Sequence, residues 1–373
     1  MSGGVKTPRF RLTMNGSILD GITQLQVSLP LSFRVGQFSF TKAFLPQDDF
    51  PASWWSATSS KTMLVSVSLS TDGENFLEVI TGNVDTHRYD PIANCISVAG
   101  RDLAALLCDE RIVATYRNQT ASQIATSFAA EHGLNTSITA TKTLAGRFYD
   151  IDHDETHGGE FSCATNEWDL LCRLGSQEGI TPYVFGNTLF FNPPSQNPPT
   201  FPISFSLNAA GEMVSNVTGL TLERHMTEAR DIVVTVRSWH SRKKASLSAT
   251  VRTKTKSPGT DSNVPPSTYL ILVPNLTQQE CLAKAQQLAL DYSQHERNLS
   301  VVFPSFGFMN PATVVPVSGT GTDYDMTYYP QAITYSVDFE SGARTEIFAK
   351  FSSELYLYDD DTGEQIGESP DLL

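Results

Sequence analysis

The stretch Ile96-Ser97-Val98-Ala99-Gly100-Arg101-Asp102-Leu103-Ala104-Ala105-Leu106-Leu107 changes its hydrophobic period midway. Ile96 and Val98 alternate with small or polar neighbours, the period of a half-buried strand. From Arg101 to Cys108, Leu103, Leu106 and Leu107 fall on one face of a helix. A sheet therefore ends here and an α+β element begins. The chain on either side follows the same division.

Upstream, Phe10 to Ala99 reads as an all-β meander. Met63, Val65, Val67 and Leu69 alternate, and Asp72-Gly73 supplies a turn before a strand at Phe76 to Ile80. Tyr89-Asp90-Pro91 turns the chain again. Trp54-Trp55, taken as strand residues, would face opposite ways, one of them at an interface or both packed under a loop. Downstream, Thr120-Ala121-Ser122-Gln123 is a capping box, followed by Ile124, Ala125 and Phe128 at helical spacing and Gly133 as the stop. Asn166-Glu167-Trp168-Asp169 starts a second helix, striped by Leu170, Leu171 and Leu174 and ended by Gly179. Tyr183 to Phe185, Gly186-Asn187 and Leu189 to Phe191 read as a tight hairpin. The run from Pro193 to Pro199 is a linker, since its prolines continue neither a helix nor a central strand.

Strands return after the linker. Ile232, Val234 and Val236 alternate, Arg242-Lys243-Lys244 marks a hairpin tip, and Leu247, Ala249 and Val251 alternate on the way back. Thr277-Gln278-Gln279-Glu280 is another capping box; Leu282, Ala285, Leu288, Ala289 and Tyr292 follow on one helical face. Asp359 to Leu373 is acidic and reads as a mobile tail. Val84 to Val98 and Ile333 to Phe348 share a strand-turn-strand shape, the second turning at Ser341-Gly342. The expected fold is α+β and mainly β: two tube-like antiparallel β-barrel domains, 1–99 and 195–358, flank an α+β module, 100–194, with the tail at 359–373.

Composition bounds the function. Of 373 residues, 40% are apolar and 18% charged, which supports globular folding. The 24 Gly and 20 Pro supply turns. A net charge of −14 argues against a free nucleic-acid binder, although an acidic wall lets DNA pass without adhering. The five cysteines, Cys95, Cys108, Cys163, Cys172 and Cys281, form no CxxC and read as reduced core thiols of a protein made in a cytoplasm. Met1 to Lys6 lacks the apolar region of a signal peptide, and no apolar run is long enough for a membrane helix.

Features with possible chemistry are few. His153-Asp154-Glu155-Thr156-His157 would bind zinc only if helical; its polarity and Gly158-Gly159 read as a solvated loop. Asp152 and Asp154 are a paired-acid motif that nothing positions. Gly319-Thr320-Gly321-Thr322 lacks the lysine and the strand-to-helix context of a phosphate loop. Arg224 to Lys256 holds nine Lys or Arg against two acids, either a patch for an acidic partner, including a second copy of the chain, or a solvated hairpin. No catalytic, cofactor-binding or metal-binding residue is assigned. The chain reads as no enzyme and as needing no cofactor.

The segment Gly100 to Leu107 resembles the baseplate hub family of contractile-tailed phages, which includes the Mu-type hub, the late control protein D group and the N-terminal part of type VI secretion spike proteins. Tyr116 to Ala125 with Glu131-His132-Gly133-Leu134, then Glu167 to Leu171 with Glu178-Gly179 and Leu189 to Pro193, are similar to its next landmarks. Pro274-Asn275-Leu276-Thr277 and the helix through Tyr292 are similar to a late helix of the second β-unit. The resemblance implies a structural hub: a homotrimeric ring that adapts a sixfold tail tube to a threefold central spike. It further implies tube or tube-initiator proteins, a separate spike polypeptide and other baseplate proteins as partners. No specific nucleic acid and no stable membrane insertion are implied, and the location is the virion tail baseplate after synthesis in the host cytoplasm. The alternative is a tail-associated cell-wall hydrolase or a peptidoglycan-binding tail-tip protein. A non-contractile tail also fits.

Overall fold

The computed structural model describes residues 8–31, 33–57, 63–112, 115–142, 144–145, 147–149, 152–156, 166–195, 197–226, 231–240, 244–253, 265–273, 276–307, 312–338, 340–352, 355–358 and 365–368. The fold is α+β and mainly β, and it divides into two compact units. Unit 1 is Met1–Pro194 with Val302–Pro311 and Gln331–Ile347; unit 2 is Ser195–Val301 with Ala312–Pro330 and Phe348–Leu373. The change of unit at Pro194 falls in the proline-rich run.

Unit 1 is built on an antiparallel sheet. Arg9–Met14, Leu64–Ser70, Leu77–Asp90, Cys95–Asp102, Gln37–Ala43, Ile22–Pro30 and the 331–338 segment lie side by side in that order. Alternation sends Leu25, Val27, Phe38, Phe40, Ile96, Val98 and Ile333 inward, where each is nearly inaccessible. The repeated strand-turn-strand shape is present in atomic detail. The Asp90 Oδ1 accepts from the Ile92 and Ala93 amides at 2.9 and 3.0 Å, and Asn94 follows at φ 51°. The Asp338 Oδ1 accepts from the Glu340 and Ser341 amides at 2.8 and 2.6 Å, and Gly342 follows at φ 72°. Both hairpins thus use an aspartate at the strand end to hold the turn and a left-handed residue four positions on.

The second layer of unit 1 is the α+β module. Thr120 caps the helix Ala121–Glu131 through the capping box, and Asn166 caps Glu167–Glu178, which ends at Gly179 in the left-handed region. These helices pack with the helix Ala104–Asp109, the hairpin Tyr183–Phe185/Thr188–Phe191 and the parallel strand Asn135–Ile138 around Leu107, Ile124, Phe128, Trp168, Leu171, Leu174 and Leu189. Two expectations are corrected. Arg101 and Asp102 belong to the preceding strand, pairing with Asn83 and Gly82, so the helix begins only at Ala104. Trp54 and Trp55 lie in the short helix Ala52–Ala57; Trp55 is buried and donates to the Phe50 carbonyl at 3.2 Å, while Trp54 is half-buried edge-on against Phe50.

Gly100-Arg101-Asp102 joins the two layers. Asp102 is buried; its carboxylate accepts from Gly36 at 2.7 Å and from Ala104 at 2.9 Å, and its own amide donates to the Gly36 carbonyl at 2.8 Å. A Cβ on Gly36 would stand 2.6 Å from that carboxylate, and one on Gly100 would stand 2.4 Å from the Phe38 ring. Both glycines are demanded by close approach.

Unit 2 contains a five-stranded sheet in the order Ser267–Leu272, Ile232–His240, Ala245–Thr253, Leu355–Tyr358, Gln365–Glu368. The helix Gln278–Ser293 covers one face, its Cys281, Ala285 and Ala289 packing on Val234, Val236, Ala249 and Val251. Gln365–Glu368, inside the segment read as a mobile tail, pairs antiparallel with Leu355–Tyr358.

Burial pushes the Asp102 carboxyl up from 3.8 to about 7, against the pull of the Gly36 and Ala104 amides. The folded state therefore holds this proton more tightly than the unfolded chain. The resulting stability is full below pH 3.8 and is lost as pH rises through about 7. Asp102→Asn keeps an acceptor for only one amide; it should lower stability by about 1–3 kcal/mol at every pH. It should also remove this group's share of the pH dependence in urea titrations. A wild type that gains stability over that window relative to the variant would contradict the account.

Candidate functional surface

The outward face of the unit 1 sheet is polar, and its registers align the polar residues into rows. Asp338 stands beside Gln24, Gln24 beside Thr41, Thr41 beside Ser97, and Ser97 beside Arg88. Two residues along, Ser336, Gln26, Ser39, Ala99 and Thr86 form a second row. Thr334, Ser28, Gln37, Arg101 and Asn83 form a third. Each row lies back to back with core residues such as Leu25, Phe40 and Val98, because successive side chains in a strand point to opposite faces. A concavity of about 720 Å³ opens over the first two rows.

The surface is close to electrically neutral. Small hydroxyls and amides make up most of it, and the Thr41 and Ser97 hydroxyls are 3.3 Å apart. Arg88 and Arg344 balance Asp338 and Glu346 in the lining. Arg344 pairs with Glu346 at 3.3 Å and donates to the Ser336 hydroxyl at 2.9 Å. Arg101 forks onto Asp85 at 2.7 and 2.9 Å and reaches Asp109 at 3.1 Å, contacts that hold its guanidinium well above the ordinary arginine range. Hydrogen bonds from Ser341 hold the Asp338 carboxyl below the usual carboxylate range, so it stays charged near neutral pH. At one end of the sheet the Asp90 turn projects Ile92, which is 97% exposed.

The motifs with possible chemistry fall elsewhere and do not converge. Asp152–Thr156, read as a solvated loop, is a strand between Arg147–Tyr149 and Thr115–Arg117. A shared zinc would need this stretch to be helical, and His153 stands in a strand instead; His157 lies outside the described residues. The register sets Asp154 between Arg147 and Arg117. The Thr320 and Gly321 amides both donate to Asp325, at 3.0 Å each, so this loop already holds a carboxylate where a phosphate would sit. In the basic stretch, Arg224 pairs with Glu296 at 3.1 Å and Arg252 with Asp231. Cys108 and Cys172 are half-buried thiols pushed up to about 12 by burial; Cys281 is buried, and Cys163 lies outside the described residues. Among the described residues no group of three His, Cys, Asp or Glu is placed to hold a metal ion, and no helix is long and apolar enough to cross a membrane.

Comparison with solved structures relates this architecture to known ones. A tail protein from Neisseria meningitidis superposes with a TM-score of 0.66 at 14% identity, over 92% of this chain and 97% of that one. The 43 kDa tail protein of prophage MuSo2 from Shewanella oneidensis gives 0.63 at 19% identity, over 92% and 98%. The chain has the fold of phage tail proteins. The same tail-protein fold extends to an Escherichia coli component of the type VI secretion system, itself similar in structure to T4 bacteriophage tail proteins, with a TM-score of 0.54 at 14% identity over 97% of this chain and 79% of that one. These likenesses agree with the resemblance carried by Gly100 to Leu107. No family model and no curated protein matches the sequence.

The polar rows were invisible to sequence reading because a row is made of residues from five strands, joined only by register. Gln26→Ala, on the outer face, should change stability by no more than about 0.5 kcal/mol. Leu25→Ala, its buried neighbour, should cost about 2–5 kcal/mol by urea unfolding. Equal costs at the two positions would refute the assignment of the polar face.

Proposed function

We propose that the chain is a non-enzymatic structural hub of a phage-type tail baseplate, a trimeric ring between a sixfold tail tube and a threefold spike carried on another polypeptide. In this reading segments 1–99 and 195–358 are the two tube-like β-units, 100–194 is the inserted module, and the polar rows line the channel. The observation that carries the reading is the neutral, hydroxyl-rich concave face, in a fold shared with tail proteins.

The physical reason is adhesion. DNA binding grows with the number of phosphates that Lys and Arg neutralise. Here Arg101 and Arg344 are occupied by carboxylates of the same unit. A passing polyanion meets mostly neutral hydroxyls and amides, in a chain whose net charge is −14. The repeated aspartate turns at Asp90 and Asp338 support two related β-hairpins per chain, as three chains presenting six similar units require. Ile92 at the hairpin tip, 97% exposed, would supply an apolar contact for a tube or tube-initiator protein.

Two experiments follow. The Gln26→Lys/Ser39→Lys/Ser97→Lys variant should fold and assemble yet bind DNA, with the salt slope steepened by about 0.9 per added phosphate contact; particles carrying it should release DNA more slowly. Tight, salt-dependent DNA binding by the wild type would contradict a non-adhesive channel. Ile92→Asp should leave the melting temperature unchanged and abolish co-purification with the tube protein, whereas retained co-purification would remove Ile92 from that interface.

A further inference from the structure

In the α+β module the helix Ala121–Glu131 ends against the start of the helix Glu167–Glu178. His132 closes the first helix, its amide donating to the Phe128 carbonyl at 3.2 Å. Glu167 opens the second, directly after its cap Asn166. The two side chains meet: His132 Nε2 lies 2.5 Å from Glu167 Oε2, with 17% of the histidine and 5% of the glutamate side chain exposed. Glu167 is thus a buried acid flanked by Trp168, Leu170 and Leu171 of the module core. The helix dipoles favour a cation at the end of one helix and an anion at the start of the other, which is the order found here.

The groups around the pair sharpen its dependence on a proton. Glu131, from the helix that His132 closes, and Glu110, just after the helix Ala104–Asp109, act on Glu167 as like charges. Tyr116, on the strand Thr115–Arg117, is pushed up to about 12 by burial and then by Glu167 and Glu131, so its phenol stays neutral. Arg111, which bridges by its backbone to Asn166, and Asp169, on the helix of Glu167, are exposed. His132 is the group in this cluster that meets Glu167 and can become a cation. Imidazole and carboxyl together hold one proton without net charge, either as imidazolium and carboxylate or as imidazole and carboxylic acid. Loss of that proton leaves a negative charge in a buried place beside two more acids, which desolvation and like charge both disfavour.

We propose that His132 and Glu167 form a proton-operated latch: one shared proton locks the end of the helix Ala121–Glu131 to the start of the helix Glu167–Glu178, and its release to solvent loosens the two ends. The direction follows from linkage. Burial raises the Glu167 carboxyl above its ordinary 4.5, against the pull of His132. The closed module therefore holds the proton more tightly than the opened one. The stability this adds is full below 4.5 and is lost as pH rises through the raised value. The latch belongs to the α+β module alone and does not depend on the tail reading.

The test is amide hydrogen exchange on the full chain, read by mass spectrometry from about pH 5 to about pH 8 and corrected for the intrinsic pH dependence of exchange. In the wild type, protection of peptides covering 121–133 and 166–178 should fall as pH rises, by up to about tenfold per pH unit, the limit for one proton. Glu167→Gln keeps a hydrogen-bonding side chain beside His132 but has no proton to lose, so its peptides should not show that fall. Glu167→Leu, of similar size and also without the proton, serves if the glutamine variant does not fold by circular dichroism. Comparing variant with wild type at each pH cancels the contribution of Asp102, which both retain. Wild-type protection that does not fall across the range, or a fall of the same size in the variant, would overturn the proposal.

Discussion

A single buried carboxylate ties the two layers of unit 1 together. Asp102 ends one strand of the sheet, accepts from Gly36 just before the next strand begins, and accepts from Ala104 in the first turn of the helix that opens the α+β module. Chain segments 66 residues apart in sequence meet at that one side chain. Removing it would leave two buried amides without an acceptor, a larger penalty than the loss of an ordinary hydrogen bond. Arg101 next to it points the other way and is neutralised by Asp85 and Asp109. Two adjacent ionisable residues therefore do opposite work: one fixes the core, and the other remains on the outer face without offering an uncompensated cation.

The sheet above this junction is organised by alternation. One set of side chains fills the core and the alternate set forms rows of hydroxyls and amides, so stability and surface chemistry are carried by different residues of the same strands. Such a face can vary in charge without unfolding the unit. Its near neutrality is a property of the surface, independent of the packing behind it. In the proposed channel, that separation would let the wall stay rigid and yet not retain what passes.

Much of this was legible in the sequence, and the limits have physical causes. The capping boxes at Thr120 and Thr277 and the stop at Gly179 mark helix ends, because caps are local chemistry. The alternation of Met63 to Leu69 likewise marks its strand. Trp54-Trp55 misled, since a six-residue helix shows too little of its period to be told from a strand. Asp152–Thr156 misled because an all-polar strand has no alternation to read. The pairing of Ile22–Pro30 with the 331–338 segment, and with it the polar rows, depends on register between residues some 300 apart, which no local pattern encodes. The resemblance at Gly100 to Leu107 identified the fold because a glycine and an aspartate at a layer junction are constrained by close contact and not by propensity.

The most direct measurement is a cryo-EM reconstruction of the assembled tail particle, resolved far enough to place side chains. The account predicts three copies of this chain in one ring, with Gln26, Ser39 and Ser97 facing the central channel. A reconstruction in which that face is packed against another protein, or in which the chain lies outside the tail axis, would contradict it.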